Sequence, residues 1–162
     1  MKKLIISLLT ASSSATSCQN PPLEAHDNWR ELTSPLWPHG IEANTGCEWV
    51  IKAQEGKRVQ ITFDQLLLSD YRDEDDNCVN QSLDLIDGSH REVESSYISF
   101  CDVHRPSIDF VSTNETMRVL LKSQMKKKDL TGEERFMLKY RFIFSVYKCF
   151  QTYTTKGNWW TS

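Results

Sequence analysis

The segment "CVNQSLDLIDG", Cys78 to Gly88, decides how this chain is read. Leu83 and Leu85 alternate with Ser82 and Asp84. Side chains point to opposite faces along a strand, so the two leucines share one face. Asp87-Gly88 then marks a turn. A cysteine opens the run, and a neutral amide, Gln81, stands three residues after it.

The same period of two recurs on both sides. "CEWVIKA" puts Cys47, Trp49, Ile51 and Ala53 on one face. "KRVQITFDQLLL" sets Val59, Ile61 and Phe63 against Arg58, Gln60 and Thr62. "SSYISFC" sets Tyr97, Ser99 and Cys101 against Ile98 and Phe100, and "ETMRVLLKS" aligns Met117, Val119 and Leu121. "RFMLKYRFIF" aligns Phe136, Leu138, Tyr140 and Phe142, with Arg135, Lys139 and Arg141 opposite. No long helical period competes. Short strands, apolar on one face and polar on the other, predict an all-β fold, an antiparallel two-sheet β-sandwich. The same alternation predicts that Trp49, Ile51, Val59, Ile61, Phe63, Leu83, Leu85, Val119, Leu121, Leu138 and Tyr140 are buried.

A chain of 162 residues suits one domain with some tail. A net charge of -3 lacks the basic balance that non-specific nucleic-acid binding uses. "MKK", the apolar run "LIISLLTA" and the small residues "SSSATS" read as a signal peptide over residues 1–17, cut before Cys18. Acylation of Cys18 as in a bacterial lipoprotein is the weaker reading, because Ala15 stands where such signals carry a larger aliphatic. No other stretch approaches the roughly 20 apolar residues of a membrane span. The expected product is secreted into an oxidising compartment where disulfides persist.

Residues 19–46, rich in Pro, Asn, Ser and Thr, read as turns and short extended pieces. "DYRDEDDN", with Asp70, Asp73, Glu74, Asp75 and Asp76, reads as an exposed acidic loop, since so many carboxylates are costly to bury. Lys122, Lys126, Lys127 and Lys128 read as a solvated loop. Five cysteines permit several pairings, and one must be left over. Asn80-Gln81-Ser82 and Asn114-Glu115-Thr116 are glycosylation sequons, with Asn114 the better placed, in a turn between strands. His26, His39, His90 and His104 are scattered through turn-like regions, and no catalytic motif appears. No two cysteines have C-x-x-C metal spacing. No catalytic residue and no cofactor is assigned.

Several motifs in order resemble the CUB domain, an extracellular β-sandwich module. "SPLWPHGIEANTGCEW" carries Ser34, Pro35, Trp37, Pro38, Asn44, Cys47 and Trp49. "EGKRVQITFDQLLL", "CVNQSLDLIDG", "STNETMRVLLKSQ" and "GEERFMLKYRF" resemble its successive strands. The likeness runs from about Cys18 to Phe142 and defines a CUB-like jelly roll over 18–143, with a C-terminal tail, 144–162, that matches nothing in the family. The resemblance implies disulfides Cys18–Cys47 and Cys78–Cys101, leaving Cys149 outside both. It implies binding of an extracellular protein or a glycan, without catalysis. The alternative is a non-catalytic piece of a larger secreted protein, such as an astacin-type metalloprotease or a receptor. Many relatives hold calcium through three acids, and the matching positions here are Ser69, Gln81 and Gln124. No metal is therefore expected, unless the adjacent acidic loop swings a carboxylate in.

Overall fold

The computed structural model describes residues 16–19, 21–69, 71–88, 97–101 and 103–144. Residues 1–15, Asp70, His90, Asp102 and residues 145–162, with Cys149, lie outside the described residues, whereas Phe144, the first residue of the expected tail, ends a strand. The first strand, β1 (Thr16–Gln19), begins just ahead of the cut expected before Cys18.

Two sheets form. The larger contains β1, β2 (Leu23–Glu24), β4 (Thr45–Lys52), β6 (Gln81–Asp87), β7 (Tyr97–Phe100) and β9 (Thr116–Ser123), in the order β1-β4-β9-β6-β7, with β2 also beside β4. The smaller contains β3 (Arg30–Thr33), β5 (Lys57–Leu67), β8 (Phe110–Val111) and β10 (Arg135–Phe144), in the order β3-β10-β5-β8. The all-β sandwich is thus present, with one departure from the antiparallel expectation. β1 and β2 run parallel to β4, which places Cys18 directly opposite Cys47.

All eleven residues expected in the core are buried. Trp49 of the larger sheet meets Phe136 of the smaller one edge-on, with centroids 5.7 Å apart. Phe63 likewise packs on Phe100 at 5.2 Å, and both lean on Phe110. Such offset aromatic pairs add to the energy of simple burial.

The alternation breaks in β5. Opposite Leu138 and Met137 stand Phe63 and Gln65, so Asp64 is an extra residue in β5. This bulge turns Leu66 inward after Phe63, and both are buried. Asp64 points outward to Lys139, its Oδ2 2.5 Å from Nζ. Ile98, on the same side of β7 as the buried Phe100, is 46% exposed because β7 is the sheet edge. Lys122 belongs to β9 and not to a loop: its Nζ lies 2.7 Å from the buried carboxylate of Asp84. Lys126, Lys127 and Lys128 are exposed and do follow the strand, in and beside a 3-10 turn, Lys127–Asp129.

Truncating Phe63 removes contacts to both sheets. Phe63→Ala is expected to lower the free energy of unfolding by about 3–5 kcal/mol, read by urea denaturation.

Candidate functional site

One end of the sandwich gathers the longer loops. β5 ends there, β6 begins there and β9 ends there, because Gln81 pairs with Ser123 at the same level. The loop from 68 to 80, the segment after Cys101 and the loop from 124 to 134 leave from this end.

Gln81 ties them together. It is only 2% exposed. Its Oε1 accepts the Ser69 backbone N–H at 2.9 Å, and its Nε2 donates to Ser123 Oγ at 3.3 Å. The neighbouring N–H of Gln124 donates to the Asn80 carbonyl at 2.8 Å. The three positions the resemblance marks for calcium therefore do converge. Ser69 and Gln81 are joined directly, and Gln124 is held one residue from Gln81.

These residues do not fit a calcium ion. None is a carboxylate, and the Gln81 carbonyl is already spent on an N–H. Calcium takes six to eight oxygens, and its affinity follows the charge they carry. Two described acids of the loop, Asp73 and Asp76, are engaged elsewhere. Asp73 Oδ1 accepts the N–H groups of Asn77 at 2.8 Å and of Asp75 at 3.0 Å. The Asn77 side chain adds two contacts at 3.2 Å. The Asn77 backbone and side-chain bonds hold the Asp73 carboxyl below its ordinary range. Asp76 sits 3.4 Å from Arg72. Among the described residues no group of three or more His, Cys, Asp or Glu could hold a metal ion.

The disulfide Cys78–Cys101, with Cα atoms 5.6 Å apart, pins this loop to the end of β7. The second disulfide, Cys18–Cys47, spans 4.6 Å between β1 and β4. Around Cys78 the chain exposes apolar side chains: Tyr71 is 57% exposed and Val79 and Val103 are each 42% exposed. The Val79 N–H donates to the Tyr71 carbonyl at 3.2 Å, so the first two are held side by side.

A second clamp, which the alternation of residues does not announce, closes the loop from 124 to 134. Glu134 is 4% exposed, and its carboxylate closes the turn. It accepts the Thr131 N–H at 2.7 Å, the Thr131 hydroxyl at 3.0 Å and the Gly132 N–H at 3.0 Å. Burial pushes its pKa up, but those hydrogen bonds outweigh it and leave the carboxyl below its ordinary range. Gly40 packs against this turn so closely that a Cβ would stand 2.5 Å from the Gly132 carbonyl oxygen. A Thr-Gly-x-Glu run is the signal that could have found the clamp.

The two sequons sit at opposite ends. Asn114 is exposed in the β8–β9 turn, and Asn80 is half-buried beside Gln81. His26, His39 and His104 are exposed and lie on separate segments.

A family model for the CUB domain matches residues 18–140. Zinc metalloproteinase nas-36 of Caenorhabditis briggsae is 32% identical over 105 residues, which cover 64% of this chain and 16% of that protein. Zinc metalloproteinase dpy-31 of Brugia malayi is 28% identical over 105 residues, or 62% of this chain and 16% of that one. Among solved structures, the extracellular region of zebrafish Gpr126/Adgrg6 superposes with a TM-score of 0.62 at 25% identity, covering 80% of this chain and 15% of that one. The MASP-1 CUB2 domain bound to Ca2+ gives 0.55 at 21% identity, covering 74% of this chain and 96% of that one. The chain thus spans about one sixth of the length of the curated relatives named here.

Two substitutions test the clamps. Gln81→Ala strands the Ser69 N–H and the Ser123 hydroxyl, at an expected cost of about 1–3 kcal/mol by urea denaturation, with faster amide exchange at Ser69. Glu134 has a lowered folded pKa, so its contribution is present above the unfolded value of about 4.3 and is lost as pH falls through the folded one. The stability gap between the protein and its Glu134→Gln variant is expected to be widest near neutral pH and to shrink on acidification below pH ~4.

Proposed function

We propose that this chain, which belongs to the CUB domain family, is a secreted binding module that holds another extracellular protein at the loop end of its sandwich. The observation that carries this is the exposed group Tyr71, Val79 and Val103, set on segments that a disulfide and the Gln81 bridge hold in place. Apolar side chains on fixed loops offer contact area at little ordering cost. CUB domains bind extracellular proteins, and the extracellular region of Gpr126/Adgrg6 contains a segment of this fold. The signal-like start and the two disulfides support secretion. Asn114, exposed at the end away from Gln81, is the site we assign to a glycan, where it leaves the loops uncovered. Asn80, half-buried, is the lesser acceptor. The reading assigns no catalytic group to the described residues.

A second reading has its own observation. The curated relatives named above are zinc metalloproteinases several times longer than this chain. Here the domain is the non-catalytic binding piece of a larger secreted astacin-type protease. The full transcript separates the two: a frame continuing into protease motifs supports the second.

Affinity capture from extracellular fluid tests the surface. A partner retained by the protein, lost with Tyr71→Ser combined with Val79→Ser, and kept with Lys139→Ala on the opposite sheet supports the proposal. Retention insensitive to the loop pair but abolished by Lys139→Ala contradicts it. Peptide mapping of the secreted protein is expected to find a glycan on Asn114.

A further inference from the structure

Beside the loop end, on the outer face of β6, β7 and β9, lies a concavity of about 290 Å³. Its walls are unusual for their chemistry. Asp84 and Lys122 face each other across β6 and β9, with Nζ 2.7 Å from Oδ2. Asp84 also accepts the Ser99 hydroxyl at 2.6 Å. Arg72 and Asp76 form the other charged pair on the rim. Among the described residues, the four charged side chains lining the site are two bases and two acids, summing to zero.

Unspent groups remain. Ser82 is 6% exposed, and its hydroxyl makes no hydrogen bond among the described residues. The side chains of Asn80 and Gln124 line the same space and likewise make none among the described residues. An amide and a hydroxyl each donate and accept, as does every hydroxyl of a sugar. Tyr97 stands at the edge, 66% exposed, with an apolar ring and a polar tip. The site is preformed, because β6, β7 and β9 carry it and the Cys78–Cys101 disulfide ties its loop side. Its volume is at the low end for ligand pockets, which begin near roughly 300 Å³, and suits a single ring.

We infer that this concavity is a subsite for one uncharged sugar ring. The balance of charge among the described residues favours an uncharged ligand, because an ion would compete with the Asp84–Lys122 pair. The unpartnered hydroxyl and amides suit a ligand that donates and accepts at several points. The Tyr97 ring offers a face to the C–H side of a pyranose. The site adjoins the apolar loop tips proposed to hold a protein and shares Val79 with them, but it is argued from Ser82, Asp84, Tyr97 and Gln124 and does not depend on that reading.

The test uses the chain secreted into a bacterial periplasm, where disulfides form and asparagine stays unmodified. Methyl glycosides of glucose, galactose, mannose and N-acetylglucosamine are titrated while backbone amide shifts are followed by NMR. One of them is expected to give saturable shifts at Ser82, Tyr97, Ser99 and Gln124, with a Kd of about 1 mM. Tyr97→Ala and Gln124→Ala, both at exposed positions, are each expected to weaken that binding about tenfold while leaving the thermal midpoint unchanged. No saturable shift up to about 50 mM overturns the inference, as does binding indifferent to Tyr97→Ala. Tighter binding of inorganic sulfate than of any sugar overturns the argument from neutrality. A glycan found on Asn80 of the protein from animal cells also overturns it, since the chain's own sugar would then fill the space.

Discussion

Packing between the two sheets is the interaction on which everything else rests, because no disulfide joins their faces. Cys18–Cys47 lies within the larger sheet, and Cys78–Cys101 joins the approach to β6 with the exit from β7, two strands of that same sheet. The smaller sheet is held to it by chain connections and by apolar contact. Trp49 on Phe136 and Phe63 on Phe100 are the points where the layers meet. The disulfides limit the freedom of the unfolded chain and of the loops. The aromatic contacts set how the layers sit, and so where the loops emerge.

Given that frame, Gln81 determines how the loop end is closed. At 2% exposure a carboxylate in its place would be costly without a cation beside it. The amide is neutral, and both its ends are used: oxygen to the Ser69 N–H and nitrogen to the Ser123 hydroxyl. Glu134 does related work for the next loop with a charged group, which is tolerable because three donors converge on it. Both clamps hold the segments that display the disulfide-tethered apolar side chains.

Much of the frame was legible because it obeys a period of two. Trp49 and Ile51, Val59 to Phe63, and Leu138 and Tyr140 face inward as their spacing requires. What stayed hidden depends on partners distant in sequence. The Asp64 bulge is visible only against Met137 and Leu138 of β10. Lys122 looks like part of a basic run until β6 brings Asp84 to it. Parallel pairing of β1 with β4 leaves no trace in a short strand. The neutral residue at position 81 was readable as a missing acid. Its hydrogen bonds were not, since they reach 12 residues back to Ser69 and 42 forward to Ser123.

The most direct measurement is thermal unfolding of the oxidised protein, stripped of metal, in chelator and then in rising calcium. If Gln81 closes the loops unaided, the midpoint is the same throughout, because an ion that does not bind the native state adds nothing to its stability. A midpoint that climbs and saturates at calcium concentrations of roughly 1–100 μM would show a site built from charged oxygens, and would contradict the account.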